Sequence, residues 1–206
     1  MKRVFGVDQK PAFVFIFAGM IKLNITDETS RLRAVILGTA LSNGGVPKLE
    51  DAYDPKSILH IKQKTYPKEH DMVAEMNAVE EVFNKYGVQV FRPKLIADYN
   101  QIFARDIGFV IEDTFIKANI LPDREQEIEA IEHVLTQIDP EKIVRFPEEA
   151  HIEGGDVMPY KDYILVGVYR GPDYSDYIIA RTNMLAVEYL QKLFPDKKVV
   201  SFNLRK

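Results

Sequence analysis

A unit that recurs along the chain, an amphipathic helix followed by a short apolar strand, constrains the possible folds more than any other feature. Three segments have the periodicity of helices: residues 69–86, 123–138 and 182–194. Each runs into a strand-like segment that ends in a phenylalanine: Phe91, Phe146 and Phe202. These phenylalanines are 55 and 56 residues apart. A regular period of this length predicts stacked or radial repetition rather than one irregular domain.

Paired apolar segments upstream of the second and third helices complete the unit. Two hairpins are predicted: residues 106–111 with residues 114–118, and residues 156–160 with residues 163–168. A unit therefore reads strand, strand, helix, strand. We expect three such units, of which the first begins near residue 31 and contains a long loop from residue 42 to residue 68. Because a sheet left without a neighbour has an uncovered edge, we also expect self-association through the open edges.

The charge balance argues against two kinds of binding partner. Charged residues make up 28% of the 206 residues, and the formal net charge is −4. Since no cluster of Lys and Arg follows one periodic face, neither a nucleic-acid partner nor an anionic membrane is predicted. The N-terminal apolar run covers only residues 12–18, so residues 1–19 are interpreted as a leader or a mis-started extension. Residues 20–206 are then the folded domain, and we expect a cytoplasmic protein.

The absence of cysteine removes several chemistries from this chain. With no cysteine among the 206 residues, disulfides, thiolate metal sites and thiol nucleophiles are excluded within it. The hydroxyl residues show no nucleophile-elbow motif, and no glycine-rich phosphate loop precedes a helix. No cofactor is predicted.

Acidic residues occupy the same place in two successive units, directly before each hairpin. Asp106 stands in the first of these loops, and Glu153 and Asp156 stand in the second. Equivalent loops of a radial repeat converge at one end of its axis, so we expect the side chains of Asp106 and Glu153 to approach each other. Gly154 and Gly155, between the two acids of the second loop, permit a sharp turn and a close approach of the backbone.

A carboxylate cluster with few cations suits a planar cationic ligand. A guanidinium offers N–H donors in a fork that carboxylates accept bidentately. Arg105, next to Asp106, and Arg181, near the start of the third helix, are expected to offset repulsion among the acids or to hold a ligand's own carboxylate.

Two other interpretations of the acidic loops stay open. Glycine pairs are ordinary turn residues, so each loop is equally well explained as a turn without a ligand. Alternatively, His151, Glu153 and Asp156 have side chains of the kind that bind Zn or Mn. Their spacing of two and three residues differs from the i, i+4 spacing of zinc-binding helices, and we therefore predict no metal site.

Three short motifs in order along the chain resemble those of the amidinotransferase and arginine deiminase superfamily, the guanidine-modifying penteins. They are Asn-Gln-Ile-Phe-Ala-Arg-Asp at residues 100–106, His-Ile-Glu-Gly-Gly-Asp at residues 151–156 and Ala-Arg-Thr-Asn at residues 180–183. The resemblance extends from about residue 20 to the last residue. Within the superfamily the chain looks most similar to bacterial amidinotransferases.

The resemblance implies an α/β propeller of five ββαβ units, of which this chain would supply about three. It implies that Asp106 grips a substrate guanidinium and that Glu153 both binds that group and orients a catalytic histidine. Asp156 would support the turn together with Arg105, Gly154 and Gly155. Arg181 would help to hold the substrate carboxylate.

The chain departs from the family pattern in its reactive groups. In the family a cysteine thiolate attacks the guanidinium carbon, ammonia or an amine leaves, and water or an acceptor amine resolves the amidino-enzyme. This sequence has no cysteine, and none of its four histidines matches the family's His-x-Asp motif. The chain is therefore interpreted as an incomplete guanidine-modifying enzyme, a transferase or a hydrolase, that is inactive alone. The alternative is a non-catalytic pentein binding module.

Overall fold

The computed structural model describes residues 20–52, 55–120, 124–170 and 182–204. The predicted leader over residues 1–19 and Arg181 therefore lie outside the described residues. The helices are α1 (Pro55–Gln63), α2 (Glu69–Lys85), α3 (Glu125–Glu129), α4 (Glu132–Leu135) and α5 (Met184–Leu193). The strands are β1 (Ala34–Ile36), β2 (Gln89–Phe91), β3 (Gly108–Ile111), β4 (Thr114–Lys117), β5 (Ile143–Arg145), β6 (Val157–Tyr160), β7 (Tyr163–Val168) and β8 (Lys198–Asn203).

Two three-stranded sheets share one topology, which confirms the two predicted hairpins and the strand that follows each helix. In one sheet β3 pairs antiparallel with β4, and β4 pairs parallel with β5. In the other, β6 pairs antiparallel with β7, and β7 pairs parallel with β8. The hairpin turns also match, since Glu112 and Lys161 both have a φ of 54°. The molecule is thus a mixed α/β protein of small sheets, whereas closure into a propeller and the number of units stay predictions.

The first sheet differs from the other two in the part of the chain that the structure describes. It has two strands, with β1 parallel to β2, and α2 lies between them in the sequence. The prediction of a long loop over residues 42–68 was wrong, because α1 lies within that range. The helix is only nine residues long and lies in a segment rich in proline, glycine and charged residues, and this composition led to the prediction of a loop.

The predicted helix over residues 123–138 is broken into α3 and α4. In a continuous helix the carbonyl of Ala130 would accept a hydrogen bond from the N–H of Val134. Instead it accepts one from the N–H of Lys94, at 2.8 Å, and Val134 donates to Ile131. A tertiary hydrogen bond thus ends one helix and begins the next.

Two apolar clusters hold the sheets in place and thereby position the loops before the hairpins. The larger joins the two three-stranded sheets to α5, and its fully buried members include Ile111, Ile116, Ile152, Ile164 and Leu190. The smaller joins the first hairpin to α3 and α4, through Ile107, Phe115, Ile128, Ile131 and Leu135. Among the described residues, no helix has both the length and the apolar character needed to cross a membrane.

Candidate functional site

The loops before the two hairpins lie directly against each other. The N–H of Gly154 donates a 3.0 Å hydrogen bond to the carbonyl of Asp106. A Cβ added at Gly154 would lie 2.2 Å from the carbonyl oxygen of Arg105, and one added at Gly155 would lie 2.4 Å from Oδ1 of Asp106. Gly154 therefore needs to be glycine because the backbone of the first loop lies too close for a Cβ, whereas a Cβ at Gly155 would displace the carboxylate of Asp106.

The carboxylates of Asp106 and Glu153 lie around one nitrogen atom, Nη1 of Arg124. This nitrogen is 3.0 Å from Oδ2 of Asp106 and 3.7 Å from Oε2 of Glu153. The Asp106 side chain is 15% exposed and the Glu153 side chain is 2% exposed, so both anions are largely removed from water. The structure thus brings together two acids that are 47 residues apart in the sequence.

A third carboxylate, that of Glu127, completes the surroundings of the Arg124 guanidinium. Nε and Nη2 of Arg124 donate to its two oxygens at 2.7 and 3.1 Å, which is a bidentate pair. Burial, the largest single effect, lowers the pKa of Arg124, but the hydrogen bonds and charges of Glu127 and Asp106 outweigh it and raise that pKa above its ordinary value. Arg124 is therefore a permanent cation inside the cluster.

Arg124 and Glu127 were not predicted as site residues. Glu127 did carry a signal, because it stands four residues before Ile131 and so falls on the apolar stripe of the predicted helix. A charged residue at such a position needs a buried partner, and an arginine three residues earlier can reach it. Arg124 also extends to Asp106, and this contact depends on tertiary packing that the sequence does not reveal.

Arg105 points away from the carboxylate cluster. Its Nε donates to the carbonyl of Gly154 at 3.0 Å, and its Nη2 donates to the carbonyl of Val157 at 2.7 Å. Its guanidinium also pairs with Glu28, with Nη2 2.7 Å from Oε1. Arg105 therefore holds the backbone of the second loop, whereas the cation that lies among the acids is Arg124.

Asp156 belongs to the scaffold of the second loop in this structure. Its Oδ2 accepts a 2.8 Å hydrogen bond from the hydroxyl of Thr182, and the same hydroxyl accepts from the N–H of Glu153 at 3.3 Å. Thr182 is 1% exposed, so these bonds are shielded from water. Asn183 next to it caps α5, since its Oδ1 accepts from the N–H of Ala186. The start of α5 thereby fixes the backbone that carries Glu153.

The alternative metal site receives no support from the geometry. No group of three or more His, Cys, Asp or Glu side chains suited to a metal ion is present in the described ranges. His151 is partly exposed, and its carbonyl accepts the N–H of Asn183.

Comparison with solved structures shows that the chain shares its fold with several enzymes that modify guanidino compounds. It matches an amidinotransferase of the saxitoxin biosynthetic pathway from Microseira wollei with a TM-score of 0.59 and 18% identity, covering 86% of this chain and 62% of that one. It matches the inosamine-phosphate amidinotransferase of Streptomyces griseus with a TM-score of 0.60 and 16% identity, over 89% and 62% of the two chains. A third match is DDAH from Pseudomonas aeruginosa in complex with citrulline, with a TM-score of 0.60, 16% identity and coverages of 86% and 63%.

The likeness is one of fold, at low sequence identity. No protein-family model matches the sequence, and no curated protein matches it. The chain spans a little over three fifths of the length of these three solved proteins.

Proposed function

We propose that this chain binds the guanidinium group of a small guanidino compound and forms the substrate-gripping part of a guanidine-modifying enzyme. The observation that carries the proposal is the position of the Arg124 guanidinium between the carboxylates of Asp106 and Glu153. Asp106 accepts a hydrogen bond from a group of the chemical class that the substrate would present, and Glu153, from a separate loop, forms a longer ion pair with the same group. Buried carboxylates in this arrangement favour a forked cation over a point charge.

The proposed chemistry divides between this chain and groups outside it. Asp106 and Glu153 hold the guanidinium nitrogens, fix the plane of the group and balance its charge. A thiolate then attacks the central carbon, ammonia or an amine leaves, and water or an acceptor amine releases the product and regenerates the thiolate. Glu153 would also orient the histidine that moves the protons. The sequence contains no cysteine, so the nucleophile must come from outside these 206 residues, and the chain alone would not turn over substrate.

The structural neighbours support this class of ligand. The matched DDAH structure contains citrulline, and a matched N-terminal domain of the cyanobacterial arginine dihydrolase ArgZ, with a TM-score of 0.62 and 12% identity, is bound to its substrate. Transferase and hydrolase neighbours both occur, so the proposal covers an amidinotransferase or an arginine deiminase-like hydrolase. Arg181 remains our candidate for holding the carboxylate of an amino-acid substrate.

A second candidate is a non-catalytic pentein module that binds guanidino compounds without modifying them. The absence of cysteine favours it. The two proposals share the binding site and differ only in whether a nucleophile joins it from outside these residues. Covalent trapping of a thiol by a guanidino inactivator, in a longer product of the same reading frame, would support the enzyme.

The binding proposal is tested by titrating the full chain with methylguanidinium, agmatine and L-arginine up to millimolar concentration, followed by NMR. We expect saturable shifts that Asp106→Asn and Glu153→Gln remove. Glu129→Gln is the matched control, since Glu129 is an exposed acid on the neighbouring helix α3. Ligand shifts that survive both site substitutions would refute the proposal.

A further inference from the structure

We propose that Asn43 is the site of a spontaneous covalent modification, in which its side-chain amide cyclises onto the main-chain nitrogen of Gly44 and is then hydrolysed to aspartate or isoaspartate. The site lies in the loop after β1, and its chemistry is independent of the proposed function. Asn43 is the only asparagine of the 206 residues that is followed by a glycine. A second glycine, Gly45, comes directly after it.

The main-chain nitrogen of Gly44 is accessible for this reaction. Among the described residues its N–H donates no hydrogen bond, whereas the N–H groups on either side do. That of Asn43 donates to Oε2 of Glu69 at 3.3 Å, and that of Gly45 donates to Oδ1 of Asn43 at 2.9 Å. Gly44 is exposed and has a φ of 81°, so no Cβ and no buried contact shields its nitrogen.

The side-chain amide of Asn43 is held in a position that favours attack on Cγ. The hydrogen bond from the N–H of Gly45 turns the amide toward the main chain that follows, on the side of the Gly44 nitrogen. When that nitrogen attacks Cγ, negative charge develops on Oδ1, and a donor already at hydrogen-bond distance stabilises it. The leaving nitrogen, Nδ2, donates to Sδ of Met72 at 3.9 Å, which is a weak acceptor and restrains it little.

The covalent steps need no reagent other than water. The nitrogen of Gly44 forms a bond to Cγ of Asn43, the bond from Cγ to Nδ2 breaks, and the N–H proton of Gly44 leaves with Nδ2 as ammonia. The product is a five-membered cyclic imide. Water then opens one of the two bonds from a carbonyl carbon to the imide nitrogen. Opening at Cγ gives aspartate, and opening at the main-chain carbonyl gives isoaspartate, in which the main chain is one carbon longer.

The loop around Asn43 supports the segment of the chain that leads to the first acidic loop. The carbonyl of Ser42 accepts the N–H of Tyr99 at 2.8 Å, and its hydroxyl accepts the N–H of Asp98 at 2.9 Å. A Cβ added at Gly44 would lie 2.9 Å from the carbonyl oxygen of Asp98. The two segments are therefore in close contact, and a change in the main chain at position 43 acts directly on that contact.

Modification places a new negative charge beside an existing one. The carboxylate of Glu69 accepts the N–H groups of Ser42 and Asn43 at 3.1 and 3.3 Å. A carboxylate at position 43 repels that of Glu69, and an isoaspartate also displaces the main chain by one carbon. We expect the loop to separate from the start of α2 and to release the N–H groups of Asp98 and Tyr99. Since the amide does not form again by itself, the loosening runs in one direction.

The modification is measured by incubating the full chain at mildly alkaline pH and following peptide masses and released ammonia. We expect the peptide that contains Asn43 to gain about 1 Da, with an equal amount of ammonia set free. Asn77 and Asn84 are internal controls, since both are exposed on α2 and neither is followed by glycine. They should change at least about tenfold more slowly. Asn43→Gln should stay unmodified, because its longer side chain would have to close a larger ring.

The same measurement on the chain unfolded in guanidinium chloride separates the effect of the loop geometry from that of the sequence. Because the folded loop supplies the donor to Oδ1 of Asn43, the folded chain should be modified at least as fast as the unfolded chain. Slower modification in the folded chain would show that the loop protects Asn43, and would overturn the inference. A folded chain in which Asn43 stays intact would overturn it as well.

The structural consequence is tested with Asn43→Asp, which reproduces the charge of one product. We expect hydrogen exchange at the amide of Tyr99 to become faster, because its acceptor on Ser42 moves away. Asn77→Asp is the matched control, since it adds the same charge to the exposed side of α2. Equal exchange rates at Tyr99 in the two variants would contradict the loosening of the loop.

Discussion

The amide N–H of Gly154 donates a hydrogen bond to the carbonyl oxygen of Asp106, and this bond joins the loops of two successive units. The 3.0 Å contact places the backbone that follows Glu153 against the residue that supplies the first acid. One carboxylate is thus held at a fixed position relative to the other by main-chain geometry.

The two glycines of the second loop should respond differently to alanine. At Gly154 the new Cβ meets the backbone oxygen of Arg105, which cannot move without shifting the loop, so we expect the free energy of unfolding to fall by about 1–3 kcal/mol. At Gly155 it meets only the Asp106 carboxylate, so Gly155→Ala should weaken methylguanidinium binding more than stability. Chemical denaturation and NMR titration of both variants check this, and equal losses of stability would contradict it.

Asp106 and Asp156 should have separable roles. Asp106→Asn removes a charged acceptor from the guanidinium, at a cost of about 1.5–3 kcal/mol in binding free energy for the hydrogen bond that is lost. Asp156→Asn should leave the affinity for methylguanidinium nearly unchanged and lower stability instead. Calorimetric titration and thermal unfolding measure the two effects. The reverse pattern would show that the roles are assigned wrongly.

The hydrogen bond between Thr182 and Asp156 should stabilise the loop that carries Glu153. Thr182→Val keeps the shape of the side chain but removes the hydroxyl that donates to Asp156 at 2.8 Å. We expect a loss of about 1–3 kcal/mol in the free energy of unfolding, because the part-buried Asp156 loses this donor and the buried N–H of Glu153 loses its acceptor. A double-mutant cycle with Asp156→Ala isolates this pair. A coupling energy near zero would mean that the bond does not contribute.

Asp27 should make stability depend on pH in the acid range. Hydrogen bonds from the Ser30 hydroxyl and from the N–H and hydroxyl of Thr29 hold the pKa of Asp27 well below its ordinary value of 3.8. Because the pKa is lower in the folded state than in the unfolded state, this stabilisation is complete above the ordinary value and is lost as the pH falls further. The free energy of unfolding of Asp27→Asn should therefore change less between about pH 5 and pH 2 than that of the unaltered chain. Parallel curves for the two proteins would contradict the prediction.

The turn at Asp27 also connects this pH dependence to the loops of the site. Ile25 bridges Glu112 in one hairpin turn, and Asp27 bridges Tyr160 next to the other. Glu28, the next residue, pairs with Arg105. As the pH falls, we therefore expect this turn to loosen before the contact between the two loops is lost. Hydrogen exchange at the Gly154 amide measures the loss of that contact.

Periodicity in the sequence was sufficient to predict the repeating sheets. The phenylalanine spacing and the apolar runs predicted both hairpins and the strand that follows each of the last two helices. Periodicity did not predict the structure of two other segments. Helix α1 has only nine residues in a segment rich in proline, glycine and charged residues, and the break between α3 and α4 comes from a hydrogen bond between Lys94 and Ala130, which are 36 residues apart.

The acidic part of the site was predictable, because glycine and acidic residues occur together in the sequence there. The cation of the site was harder to predict. The equivalent positions of Asp106 and Glu153 led to the expectation that they approach each other. Arg105 was the nearest candidate cation in the sequence, yet its guanidinium is held by Glu28 and by two backbone carbonyls. Arg124 reaches the acids through the fold of the chain, and its position in the sequence does not indicate that contact.

The most direct test of the central claim is a crystal structure of the full chain with agmatine bound. We expect the agmatine guanidinium to lie between Asp106 and Glu153, with its nitrogens about 2.7–2.9 Å from oxygens of both carboxylates. Agmatine bound elsewhere, or carboxylates that stay unoccupied at saturating ligand, would contradict it.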